Sequence, residues 1–138
     1  MSDFRPSGFS VLPTVVKNLL IINVLFFLAT IACDMVLRID LADYLGLHYI
    51  GASDFQPYQL VTYMFMHGNF AHLFFNMFAL WMFGNTLENI WGANRFLLFY
   101  FVCGIGAGLV QELVQYIQYV TTLQGYENVR IAANQIIP

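Results

Sequence analysis

Charged residues are scarce in this chain. Asp, Glu, Lys and Arg make up 9% of its 138 residues, and hydrophobic residues make up 59%. In an average soluble domain about 25% of the residues are charged. Because a soluble fold needs more charge than this to cover its surface, the composition predicts a membrane protein. The length suits one domain and no more.

Basic residues are scarcer still. The chain has five Lys and Arg residues against eight Asp and Glu residues, which gives a net charge of −3. Proteins bind nucleic acids largely through Lys and Arg side chains that neutralise phosphates. The composition therefore excludes a nucleic-acid partner.

Cysteine occurs only twice, as Cys33 and Cys103. The two are isolated and fit no metal-binding spacing. If the helices that carry them run parallel, a rise of 1.5 Å per residue places them at depths about 15 Å apart, whereas a disulfide needs Cα atoms within about 7 Å. We predict two free thiols, no metal site and no cofactor.

Three long apolar segments are present. The first covers residues 15–37, the second begins at about residue 70 and ends at about 87, and the third begins near 96 and ends at about 116 or 119. A transmembrane helix needs about 20 mostly apolar residues to span about 30 Å of hydrocarbon. We therefore predict an all-α, multi-pass integral membrane protein with about three transmembrane helices.

The segments around these helices predict the domain organisation. Residues 1–13 are polar and are expected to form a flexible tail before a transmembrane domain at 14–119. Residues 38–66 mix Asp, Gly and Pro with several tyrosines, and tyrosine favours the membrane–water interface. We expect a long, partly helical interfacial loop here. Residues 120–138 are predicted to be a polar loop.

The polar residues at the start of the second apolar segment form the strongest candidate site. His72 and Asn76 are four residues apart, so a helix brings both side chains to one face with Cβ atoms about 5–6 Å apart. Asn69 is a suitable N-cap for that helix. Lipid offers such groups no partners, so we expect them to face protein or a wet cavity.

A longer pattern extends this site. It comprises a histidine, a His-x-x-x-Asn motif, a glycine near the end of the same helix, and a Glu-x-x-x-Gly motif. In this chain the pattern is His67, His72-Leu73-Phe74-Phe75-Asn76, Gly84, and Glu88-Asn89-Ile90-Trp91-Gly92, followed by Arg95. With these motifs the chain resembles the rhomboid family of intramembrane serine proteases, most clearly over residues 58–108.

The resemblance implies a role for each matched residue. His72 and the Asn76 amide would help to form the oxyanion hole, and His67 would lie beside the site. Gly84 would be structural, and Glu88, Gly92 and Arg95 would shape the loop over residues 88–95 that joins the second and third helices. Gly104 and Gly108, which form a GxxxG pair in the third segment, allow close packing of helix backbones.

The family core has six helices, and its nucleophile and general base lie on the fourth and the sixth. The resemblance thus implies half of that core, which would stop in the loop before the Gly-x-Ser-Gly nucleophile motif. The only serines are Ser2, Ser7, Ser10 and Ser53. Ser53 precedes the second segment, and Asp54 stands where the nucleophile motif needs glycine, so we interpret it as part of a loop turn. We expect this chain alone to be inactive.

The family also implies partners, which are transmembrane protein substrates and membrane lipid. No transit peptide is apparent, which favours a bacterial inner membrane over an organelle membrane. Three helices cannot fully close a bundle around His72 and Asn76, so we also expect the chain alone to be poorly stable or to self-associate. One departure concerns residues 58 and 59, where many family members have Trp-Arg and this chain has Tyr58-Gln59. This chain therefore lacks the arginine guanidinium that would help to anchor the first loop.

Two other interpretations stay open at this stage. The chain could belong to a non-catalytic rhomboid-like protein that binds membrane clients. It could also belong to a haem or metal protein that uses His48, His67 and His72, since histidine is the commonest metal ligand. No carboxylate or cysteine completes a tetrahedral set around these histidines.

Overall fold

The computed structural model describes the backbone of residues 8–136 and the side chains of residues 8–131. Helix α1 covers Thr14–Ala32 and continues as a π-helix over Cys33–Leu37. Two short helices follow, α2 at Ala42–Leu45 and α3 at Gln59–Thr62, and α3 leads into a 3-10 helix at Tyr63–Phe65. Helix α4 covers Phe70–Trp91 and helix α5 covers Ala93–Ile136. The all-α prediction is confirmed.

Two of these helices are long and apolar enough to cross a membrane, judged by length and composition. They are Thr14–Leu37 and Ala93–Ile131. Helix α4 has 22 residues, which is also a sufficient length, but His72, Asn76 and Asn85 make it less apolar. That α4 forms a third span stays a prediction.

The prediction of a polar loop at 120–138 is wrong for residues 120–136, because α5 continues through them and is 44 residues long. This stretch contains no proline before residue 138, and its one glycine, Gly125, is tolerated inside a helix. The Glu127 and Arg130 side chains, 3.5 Å apart, form an i,i+3 ion pair on its surface. Polarity keeps a segment out of lipid without preventing a helix. Residues 137 and 138 lie outside the described residues.

At the other end, residues 1–7 of the predicted tail lie outside the described residues, and residues 8–13 form no helix. Ser10 in this stretch is bound by a side chain of α4. Its N–H donates to Asn89 Oδ1 and its carbonyl accepts from Asn89 Nδ2, both at 2.9 Å. A single amide therefore binds both backbone groups of Ser10 next to the start of α1.

The link between α4 and α5 is shorter than predicted. Residues 88–91 belong to the last turn of α4, and only Gly92 separates the two helices. Gly92 has φ +82° and ψ 162°, a conformation that essentially only glycine adopts. This residue allows the chain to reverse without a loop.

The core lies where α1, α4 and α5 meet. Val16, Leu19 and Phe96 form a buried cluster, and Gly84 is buried beside it. A Cβ atom on Gly84 would lie 2.9 Å from Val16 Cγ2 and 3.0 Å from Phe96 Cζ. The absence of a side chain at Gly84 therefore lets the three helices approach one another.

Glu88 fixes the start of α1. Its two carboxylate oxygens accept hydrogen bonds from the backbone N–H groups of Val15 (2.9 Å) and Val16 (2.8 Å). The first N–H groups of a helix have no partner within it, and the positive end of the helix dipole favours a negative charge there. Glu88 is thus an N-terminal cap supplied from another helix, rather than part of an inter-helix loop.

Gly104 and Gly108 face the interfacial loop. The Tyr63 hydroxyl donates to the Gly104 carbonyl, and a Cβ atom on Gly108 would lie 3.1 Å from Tyr63 Cε1. Met64 packs against Gly104 as well. The small-residue surface expected to pack against another helix backbone therefore receives side chains of the 3-10 helix, which docks the loop on α5.

Candidate active site

The start of α4 positions the predicted site. Asn69 has an extended backbone, and its side chain accepts a hydrogen bond from the His72 N–H at 2.8 Å, as its sequence position predicts for an N-cap. This bond fixes the first turn of the helix at His72. Asn76 follows one turn later on the same face.

His67 and His72 lie together although a helix start separates them in sequence. Their ring centroids are 5.2 Å apart with an interplanar angle of 62°. His67 is buried, with 7% of its surface exposed, and its Nδ1 lies 3.3 Å from the Phe65 carbonyl oxygen. His72 is exposed. One buried and one exposed imidazole therefore lie next to each other at the start of α4.

Asn76 borders two cavities. The larger has a volume of about 450 Å³, lies between α4 and α5, and is lined mostly by apolar side chains, with Asn76 and Tyr63 among the polar groups. The smaller, of about 270 Å³, is lined by Asn76, His67, Asn23 and Tyr100 together with Met64, Met77 and Leu80. Asn76 itself is exposed, so its amide is accessible from these cavities.

The smaller cavity includes two polar residues that we did not assign to the site. Asn23 of α1 is fully buried, and its Nδ2 donates to the Leu19 carbonyl at 2.7 Å. Its Oδ1 has no hydrogen-bond partner among the described residues. Tyr100 of α5 also lines this cavity. The sequence shows Asn23 and Tyr100 only as polar residues inside the first and third apolar segments. Their position next to Asn76 results from tertiary packing, which the sequence pattern does not reveal.

The remaining candidates lie elsewhere. Ser53 is exposed, and its hydroxyl donates to Asp54 Oδ1 at 2.9 Å, which is consistent with a loop turn. His48 lines a different cavity, of about 550 Å³, within the loop. Among residues 8–131 no three His, Cys, Asp or Glu side chains are arranged to hold a metal ion.

The pKa of His67 is lowered from 6.5, first by burial and further by the nearby His72, against the raising effect of the Phe65 carbonyl. Between the folded-state pKa and 6.5 the unfolded chain binds more protons at this residue, so stability rises with pH. We expect the contribution of His67 to stability to be lost as pH falls below 6.5. Nuclear magnetic resonance (NMR) titration of the imidazole checks this, and His72→Gln should move the midpoint of His67 upward. A midpoint at or above 6.5 in the unmodified protein would contradict the burial argument.

Comparison with known proteins identifies the family of this chain. A model of the rhomboid domain matches residues 54–125, just over half of the chain, and includes the whole histidine–asparagine site. The chain belongs to the rhomboid family. With its two long apolar helices, this rhomboid chain is a membrane protein.

Several curated relatives show the same similarity. The chain is 44% identical over 48 residues to rhomboid protease GluP of Bacillus subtilis (strain 168). This match covers 35% of this chain and 10% of that protein. It is 30% identical over 105 residues to rhomboid-like protease 1 of Toxoplasma gondii. This match covers 72% of this chain and 36% of that protein. It is 44% identical over 57 residues to rhomboid-like protein 11, chloroplastic, of Arabidopsis thaliana. This match covers 41% of this chain and 20% of that protein. No solved structure matches the chain.

This rhomboid chain spans between about a tenth and a third of the length of these relatives. Of the residues that the resemblance implies are structural, Gly84 and Glu88 make the contacts described above, and Gly92 provides the reversal between α4 and α5. Arg95 lies exposed near the start of α5. The first loop differs from the Trp-Arg pattern at Tyr58-Gln59, and Gln59 is almost completely buried, with 1% of its surface exposed.

Proposed function

We propose that the whole protein is a rhomboid-type serine endopeptidase that cleaves transmembrane proteins within the membrane. This chain would supply the oxyanion-binding part of its active site. The observation that carries the proposal is the placement of Asn76. It lies one helical turn after the capped His72, on a cavity that it shares with His67.

The chemistry requires hydrogen-bond donors at this place. When a serine attacks a peptide carbonyl, negative charge develops on the carbonyl oxygen, and a donor aimed at that oxygen is worth about 2.7–4 kcal/mol in other serine proteases. The Asn76 amide is a donor at every pH, and the His72 ring donates through one of its nitrogens. The apolar walls beside Asn76 strengthen such hydrogen bonds because they lower the local dielectric constant.

The nucleophile and the general base would come from residues beyond these 138. A serine hydrolase that lacks both keeps only residual catalysis from its oxyanion hole, so the chain by itself should not cleave substrates measurably. The proposed partners are transmembrane protein substrates and the surrounding lipid. The proposed location is a bacterial inner membrane.

A serine-reactive fluorophosphonate probe tests this proposal. We expect the full-length protein, reconstituted in bilayers with a transmembrane substrate, to cleave that substrate, to become labelled on a serine, and to lose activity in step with labelling. The 138-residue chain, prepared in the same way, should remain unlabelled. Stable binding of the substrate with neither cleavage nor labelling of the full-length protein would instead favour a non-catalytic, client-binding rhomboid-like protein.

A further inference from the structure

Gln59 has the largest of the fully buried side chains in residues 8–131. It lies in the loop that connects α1 to α4, at the first residue of α3. A long polar side chain loses conformational freedom when it is buried and must find partners for its amide. The partners of Gln59 therefore indicate what it does.

The Gln59 carboxamide makes four hydrogen bonds, all to backbone groups. Its Oε1 accepts from the N–H groups of His48 (3.3 Å) and Gln56 (3.1 Å). Its Nε2 donates to the carbonyls of Tyr44 (3.3 Å) and Asp54 (3.1 Å). An amide offers two acceptor lone pairs and two donor hydrogens, so its capacity is filled. Residues 44–56 are thereby closed around one side chain.

Helix α2, whose Tyr44 carbonyl is bound by Gln59, forms part of the surroundings of His67. The Thr62 hydroxyl donates to the Leu45 carbonyl at 2.7 Å, which joins α3 to α2. Asp40 and Ala42, just before Tyr44, line a cavity of about 420 Å³ together with His67. The Gln59 and Thr62 bonds thus connect α2, which lines the cavity at His67, with α3, which leads to His67 through the 3-10 helix.

This folded loop is also fixed to α5. The Tyr63 hydroxyl donates to the Gly104 carbonyl, and Glu112, which is 8% exposed, accepts the Ile50 N–H at 2.7 Å. The first bond holds the loop just after the segment closed by Gln59, and the second holds that segment itself at Ile50. The position of His67 relative to α5 therefore depends on the internal order of residues 44–56.

We propose that Gln59 is a positioning residue for the candidate active site. Its carboxamide organises residues 44–56 and, through α3 and the 3-10 helix, holds His67 in its buried place beside His72. It acts through backbone groups and touches no substrate. A consequence for catalysis rests on the proposed protease function, but the effect on the loop does not.

Amide hydrogen exchange tests the proposal on the full-length protein in lipid bilayers. Gln59→Leu removes both acceptor and donor, so we expect exchange at the His48 and Gln56 amides to become about fivefold faster or more. Gln59→Arg keeps donors only and should speed the same two amides. Gln59→Glu keeps the acceptor oxygens, so exchange at the His48 and Gln56 amides should stay slow. This conservative substitution therefore serves as the positive control. Gln56→Leu is the matched control, because that side chain is exposed and only its backbone is bound by Gln59.

The His67 ring gives a second readout. In Gln59→Leu the NMR titration midpoint of His67 should rise toward 6.5 as burial is lost, whereas Gln56→Leu should leave it unchanged. Unchanged exchange at His48 and Gln56 in Gln59→Leu would overturn the proposal, and so would equal acceleration across α1, α4 and α5. If exchange at His48 and Gln56 becomes faster in Gln59→Leu but the titration midpoint of His67 does not move, Gln59 orders the loop without positioning His67. If the exchange pattern holds in a protein without protease activity, Gln59 keeps its role and the proposed function fails.

Discussion

Glu88→Ala is expected to lower the free energy of unfolding by about 3–5 kcal/mol and to fray the first turn of α1. The change removes the two hydrogen bonds that the Val15 and Val16 N–H groups donate to a buried carboxylate. A hydrogen bond to a charged group contributes about 1.5–3 kcal/mol, and the charge also stabilises the helix dipole. Denaturant unfolding in micelles measures the loss, and hydrogen exchange at Val15 and Val16 locates it.

Two variants separate capping from a general effect of losing a charge. Glu88→Gln keeps one acceptor oxygen, so we expect roughly half of the Glu88→Ala loss. Glu127→Ala removes an exposed glutamate that pairs with Arg130, and a surface pair of this kind contributes about 0–1 kcal/mol. Equal stability of Glu88→Ala and Glu127→Ala would show that Glu88 does not cap α1.

What the sequence predicted well depends on short-range rules. The start of α4 at Phe70 follows from Asn69, because an N-cap acts on residues two or three positions away. The proximity of His72 and Asn76 follows from helix geometry alone. Apolar length identified α1 and α5 as possible spans. Each of these inferences needs only a window of a few residues or a hydrophobic run.

What the sequence could not predict depends on residues that are far apart in the chain. Glu88 was expected to shape a loop, yet it caps a helix 72 residues earlier in the chain. The absence of arginine at position 59 was interpreted as a missing anchor, although the Gln59 amide binds four backbone groups. Spacing within one segment gives no information on such partners, because they are set by how α1 packs against α4 and by how the loop folds on itself.

The end of α5 shows a different limit. The change to polar residues after residue 119 was interpreted as the end of a helix. Polar composition, however, indicates contact with water and does not determine the backbone conformation. Without proline, and with an ion pair between Glu127 and Arg130, the helix continues to Ile136. The predicted domain boundary at 119 therefore marks a change in polarity inside one helix.

Asn76→Ala is expected to lower kcat of the full-length protein by about 10²–10³-fold, the usual loss when one oxyanion donor is removed from a serine protease. KM should change little, because the donor acts mainly on charge that develops in the transition state. Asn76→Asp should be at least as damaging, since it replaces the donor with an acceptor and adds negative charge beside the developing oxyanion. Single-turnover cleavage of a transmembrane substrate in bilayers measures the chemical step directly.

Asn18→Ala is the matched control for Asn76→Ala, because Asn18 is an exposed asparagine in α1 and should leave kcat unchanged. Combining Asn76→Ala with His72→Ala tests whether the two donors act on one oxygen. If they do, the double variant should lose less activity than the product of the two single losses, because residues that act as a unit are not additive. An unchanged kcat in Asn76→Ala would remove Asn76 from the mechanism, whereas fully multiplicative losses would mean that His72 and Asn76 serve separate steps.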